Sequence, residues 1–140
     1  MKKQVAYSPE LGERVCREIA ITTRGLTAIC KENPDFPARD TIYMWRLDHP
    51  EFAAIYNEAK RIQADLFVEE IIEISDDIKN DNIENKDGSL RPNKEWIMRS
   101  KLKVDSRKWI ACKLLPKVYG DKFEGKVEHT GQEVWLDKLK

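Results

Sequence analysis

Net charge is what this 140-residue chain lacks first, because 25 Lys and Arg face 25 Asp and Glu. A protein that coats nucleic acid indiscriminately draws its affinity from excess cations, so a generic basic coat is excluded. No stretch approaches the ~20 uncharged apolar residues of a membrane span, so no membrane partner is expected. Residues 1–10 carry no apolar leader core, which points to a chain kept inside the cell. Cysteine and histidine are scarce. Cys16, Cys30 and Cys112, with His49 and His129, show neither zinc spacing nor a disulfide frame. A nucleotide-cradling Gly-x-x-x-x-Gly-Lys-Ser/Thr loop is missing, and Lys86-Asp87-Gly88 and Phe123-Glu124-Gly125-Lys126 lack its frame. No nucleophile, base and orienting residue can be assembled from these groups. The expectation is a protein with no cofactor, no metal site and no enzymatic activity. Disorder is excluded in turn, since 41% hydrophobic and 9% aromatic residues supply a thin but real core.

What is present is a strong local bias. Residues 50–81 hold 3 basic and 9 acidic side chains, a net −6. Residues 96–122 hold 8 basic and 2 acidic, a net +6. Two such segments attract when folded as an antiparallel pair, and equally between neighbouring copies of the chain.

In residues 1–49, Ser8-Pro9 reads as a helix cap followed by proline at the first helical position. Leu11, Val15, Cys16, Ile19 and Ala20 share one face of the helix that follows. A short helix from Leu26 to Glu32 is broken by Asn33-Pro34-Asp35-Phe36-Pro37. A third opens near Arg39, with Asp40 as its expected cap. Three short helices, the last two tightly joined, match a helix-turn-helix, whose final helix enters the DNA major groove. Its outward residues are Thr41, Tyr43, Met44 and Arg46, with Arg39 at the mouth able to reach a phosphate. A small bundle that only packs is the alternative, and the net +1 of residues 1–49 means that any binding relies on several copies acting together.

His49-Pro50-Glu51 marks a boundary, and a helical pattern then runs to about Asp77. Phe52, Ile55, Tyr56, Ala59 and Ile62 form its first stripe. Further along, Leu66, Phe67, Val68, Ile71, Ile72 and Ile74 cover more than half the circumference, so this helix needs covering on more than one side. One partner helix in the same chain covers one side; the second is expected to meet another subunit. Glu69, Glu70, Glu73, Asp76 and Asp77 read as a solvated face rather than a metal site, having no histidine nearby. Residues 78–95 read as a polar linker with turn chemistry. A helix follows to Leu115, where Pro116 stops it. Its main stripe is Met98, Leu102, Trp109 and Cys112, with Asp105 inside the stripe and Lys101 and Lys108 as expected partners. Arg107 and Lys108 belong to a basic set that can pair with the acidic helix or bind DNA.

From Lys122 to Thr130 the pattern alternates, with Phe123 and Val127 on one side. Period two reads as a strand. A lone strand cannot satisfy its own backbone, so it pairs with other copies or a partner, or stays disordered. Trp135, Leu136 and Leu139 form a short apolar cluster among charges, either a docking peptide or unused tail.

Three stretches together resemble one family. They are Thr41-Ile42-Tyr43-Met44-Trp45-Arg46, then His49-Pro50-Glu51-Phe52, then Val104-Asp105-Ser106-Arg107-Lys108-Trp109 followed by Pro116-Lys117-Val118-Tyr119-Gly120-Asp121-Lys122. Their order and spacing are similar to the short small-terminase subunits of tailed bacteriophages, as in Shigella phages, over residues 10–125. The resemblance implies a mostly α chain with an N-terminal helix-turn-helix bundle (1–49), a long antiparallel helix pair for oligomerisation (50–116) and a C-terminal strand and tail (117–140). It implies recognition of the packaging site on concatemeric double-stranded viral DNA in the host cytoplasm. It further implies a homo-oligomeric ring of about eight subunits, closed by cyclic symmetry, and delivery of DNA to the large terminase subunit, which holds the ATPase and nuclease. By that resemblance Leu66, Phe67, Val68, Ile71, Ile72, Asp105, Arg107, Lys108 and Trp109 build the ring wall. Phe123 and Val127 lie in strands that join as an intersubunit barrel, and the tip near Trp135, Leu136 and Leu139 engages the large subunit. Relatives often carry a basic residue where Met44 stands, and can carry a lysine where Ala28 stands; Lys31, Arg39 and Arg46 are the candidate replacements. A dimeric helix-turn-helix transcription regulator, with half-sites about 34 Å apart, is the rival reading. A metal-dependent nuclease built on the acidic helix is a more distant one.

Overall fold

The computed structural model describes residues 4–120. Helix α1, Pro9–Ala20, starts where the sequence says it should. Ser8 is extended, its hydroxyl accepts the Leu11 N–H at 3.2 Å, and Pro9 needs no hydrogen bond in the first turn. Gly12, Val15, Cys16 and Ile19 form its buried face. Gly12 is required by close approach, since a β-carbon there would stand 3.0 Å from both Phe52 and Tyr7. Helix α2 is Leu26–Glu32 and α3 is Arg39–Asp48. The cap of α3 is Ala38, not Asp40; Asp40 lies in the first turn, where a carboxylate still favours the positive end of the helix dipole. The loop between α2 and α3 buries Phe36 and Pro37 rather than merely breaking the helix.

Helix α4, Pro50–Asp76, is 27 residues long, about 40 Å at 1.5 Å per residue. Its first three turns finish the core of the N-terminal bundle. Phe52, Tyr56 and Ala59 join Val15, Cys16, Ile19, Ile29, Cys30, Phe36, Ile42 and Trp45 in one buried cluster. The core therefore runs across residue 49 without a break. Tyr7, on the extended segment before α1, seals the edge: its ring stacks on His49 at 3.8 Å and meets Trp45 and Phe52 edge-on. Burial pushes the Cys16 thiol up to about 12, so it behaves as a small hydrophobe.

The segment expected to be a linker holds a two-stranded antiparallel hairpin, β1 (Asn82–Glu84) and β2 (Leu90–Pro92), with Ile83 opposite Arg91. Its turn uses Gly88 at φ +85°, a left-handed conformation that glycine adopts without strain. Asp87 accepts the Ser89 N–H at 2.9 Å. Helix α5, Lys94–Leu114, is capped by the Asn93 side chain and ends before Pro116, which opens the single-turn α6, Pro116–Tyr119. Helix α5 returns antiparallel to α4. Arg107 meets Glu70 in the middle of the pair, and the Tyr119 hydroxyl beyond α5 reaches back to Asp65 at 2.7 Å.

The packed face of α5 is not the stripe its apolar residues suggest. Trp96, Ser100, Val104, Arg107 and Ala111 turn toward α4. Met98, Leu102 and Trp109 point outward, 71%, 54% and 63% exposed. The strand expected at 122–130, with Phe123 and Val127, lies outside the described residues, as do Trp135, Leu136 and Leu139.

Candidate functional site

Helix α3 is held by Ile42 and Trp45, both buried, so the opposite surface is fixed outward. Arg39, Asp40, Tyr43, Met44 and Leu47 occupy that surface, with Tyr43 42%, Met44 52% and Leu47 76% exposed. Three large apolar groups facing solvent on one short helix call for a partner. At the start of the helix the Arg39 side chain reaches the Thr27 hydroxyl of α2 at 3.4 Å and lies over the Tyr43 ring at 6.0 Å. Lys31 near the end of α2 and Arg39 at the start of α3 are both exposed.

Two expected contact residues sit differently. Thr41 is half-buried; with Met44, Asp48 and His49 it lines a cavity of about 580 Å³ beneath the segment Gln4–Tyr7. Arg46 turns to the flank, its guanidinium 4.5 Å over the Tyr56 ring of α4. It belongs to the side of α3 rather than to the centre of its outward surface. Leu47, which the sequence reading passed over, stands in that centre.

The second surface is on the helix pair. Beyond the bundle, α4 leaves Ile72 exposed, with Leu66, Val68 and Ile71 half-buried. Phe67 is only 7% exposed and packs within the single chain, so it is not a surface group. On α5, Ile97, Met98, Leu102 and Trp109 are exposed, the last three in a band along that helix. Asp105 stands inside it and, among the described residues, has no ion-pair partner; Lys101 and Lys108 do not reach it. Arg107 is taken by Glu70 within the chain.

Glu70 ties three elements together. The Thr23 hydroxyl donates to one of its oxygens and Arg107 Nε to the other, each at 2.5 Å. Burial alone would raise the Glu70 carboxyl; these two donors outweigh it and hold the group below its ordinary value. Among the described residues no three His, Cys, Asp or Glu side chains converge on a metal position, and no helix is long and apolar enough to cross a membrane.

Residues 7–126 match the family described as Bacteriophage Sf6, terminase small subunit-like. Crystal structures of three single-substitution variants of the terminase small subunit gp1 of the bacterial virus Sf6 superpose with TM-scores of 0.69, 0.68 and 0.70. Each is 29% identical to this chain and covers 89% of it, the match spanning 89%, 85% and 89% of the respective Sf6 chain. No curated protein sequence matches.

Proposed function

The chain belongs to the Sf6 terminase small subunit-like family, and from that premise we propose how its surfaces divide the work of packaging viral DNA. Its role is that of the small subunit of a terminase. Helix α3 reads the packaging site on concatemeric double-stranded DNA through Tyr43, Met44 and Leu47, while Arg39 and Lys31 hold phosphates at its edge. Base edges give sequence choice and phosphates give affinity. The apolar band of α4 and α5 joins copies into a closed ring of about eight subunits by cyclic symmetry. A ring of weakly binding bundles gains avidity that one net-neutral chain lacks. The tip with Trp135, Leu136 and Leu139 docks on the large subunit, which supplies the ATPase and nuclease chemistry in the host cytoplasm. The small subunit itself catalyses nothing.

The observation that carries this reading is two separate apolar surfaces left exposed among the described residues. One lies on a helix of groove-entering size and the other on the helix pair, along an α5 of about 31 Å. A dimeric regulator explains the first surface but leaves the length of the second without purpose. The test is competition binding with fragments tiled across the viral genome, against random duplex at equal salt. One fragment bound at least tenfold more tightly is expected. Equal binding to every fragment overturns site recognition.

A further inference from the structure

A cavity of about 370 Å³ opens where α3, α4 and α5 meet. Arg46, Tyr56, Asn57, Lys60, Arg61 and Lys113 line it. Of its four cations, Arg61 is answered by Glu58 at 3.3 Å. Among the described residues, Arg46, Lys60 and Lys113 have no carboxylate within ion-pair distance. Lys60 donates instead to Gln63 at 2.6 Å, and Gln63, itself 1% exposed, is anchored to the Thr22 carbonyl at 2.8 Å. The ammonium is thereby fixed at the cavity wall. Burial and the neighbouring Arg46 both lower its affinity for a proton, the mark of positive charge held without a counter-charge.

The cavity continues the edge of α3. Arg39, Tyr43 and Arg46 stand at i, i+4 and i+7, so they form one row along the helix. That row leads from the α2 end to Lys60 and Lys113. A helix seated in a major groove about 12 Å wide has a sugar-phosphate strand along each flank. With α3 seated so, the flank that carries the row and the cavity would face one of these strands.

We propose that the cavity formed by Arg46, Lys60 and Lys113 seats a backbone phosphate of the DNA strand flanking α3. Asn57 adds a neutral donor, and the Arg46 fork suits a phosphodiester oxygen pair. Phosphate is favoured over a protein carboxylate because the cationic row is continuous with the DNA-reading helix. The inference rests on the reading of α3 as that helix.

The experiment measures DNA affinity of the full, assembled chain from low to moderate salt, for Lys60→Gln combined with Lys113→Gln. Light scattering follows the particle in parallel. The expected result is an unchanged particle and unchanged sequence preference. The slope of log affinity against log salt flattens by about one per engaged protomer. An unchanged slope on a normal particle overturns the proposal. So does a particle that falls apart while DNA affinity per chain persists, because the cavity then holds an acidic group of another chain. Arg46→Gln with Lys113→Gln repeats the test without touching the Lys60–Gln63 bond. Met44→Glu is the control for the underlying reading. If it too leaves DNA binding unchanged, α3 is not the reading helix; if it abolishes binding while the lysine variants change nothing, only the cavity assignment fails.

Discussion

Arg107 on α5 donates through Nε to Glu70 on α4 at 2.5 Å, and the other oxygen of that carboxylate takes the Thr23 hydroxyl from the loop after α1. One carboxylate therefore joins the N-terminal bundle to both helices of the pair. Neither side chain is fully exposed, at 23% for Arg107 and 31% for Glu70, so the pair is less screened than a surface bridge.

The stability of this junction depends on pH. Glu70 titrates in the folded chain below its unfolded value of 4.5. Its contribution is complete above that value and is lost as pH falls through the lower, folded one. Glu70→Gln is expected to remove this acid-side increment and to leave the pH 7–8 profile flat. Thermal melts of both proteins between pH 3 and 7 check it; parallel curves would remove Glu70 from the account.

Charge reversal at Arg107 and Lys108 together is expected to disturb assembly before DNA contact. Arg107→Glu places two carboxylates side by side at Glu70, where like charges repel. Particle mass against DNA affinity separates the two effects. A normal particle with lost DNA binding would assign this helix to DNA instead.

On α3, Tyr43→Ala with Met44→Ala is expected to weaken binding to the preferred fragment at least tenfold with the particle intact. Lys31→Ala, Arg39→Ala and Arg46→Ala together are expected to weaken binding to all duplexes alike, since phosphate contacts carry no sequence information. Fluorescence anisotropy on preferred and random duplexes reads both. Equal loss on both duplexes in the first variant would make Tyr43 and Met44 positioning contacts rather than readers.

Much of this architecture can be read from residues. Ser8-Pro9, the Asn33–Pro37 break and His49-Pro50 punctuate the chain by well-defined backbone chemistry, and the helices begin and end there. The packed face of α5 was not legible, because the face that meets α4 includes Ser100, Arg107 and Ala111. Small residues allow close helix approach and Arg107 is answered by Glu70, so hydrophobicity does not mark the contact. Met98, Leu102 and Trp109, the stripe that stands out in sequence, are exposed instead. The hairpin was hidden because each strand has three residues and one apolar side chain, too short to show a period. Lys60 does not stand out because it sits in an acidic segment; the fold brings Arg46 and Lys113 to it.

The bundle core is expected to tolerate little. Phe52→Ala leaves a cavity where α1, α3 and α4 meet, and a loss of about 3–5 kcal/mol is expected from substitutions of this kind. Denaturant unfolding measures it. A cost near 1 kcal/mol would mean that the junction around Tyr7 and Trp45 collapses to fill the space.

The central claim is that the uncovered α4–α5 band joins copies of the chain. Native mass by light scattering on a sizing column tests it most directly, comparing the natural chain with Leu102→Ser, Trp109→Ser. The account predicts a particle near eight times the 16.4 kDa chain, and a shift of the variant to much smaller species that keep their helical content. A natural chain that runs as a monomer or a dimer, or a variant that assembles unchanged, would contradict it.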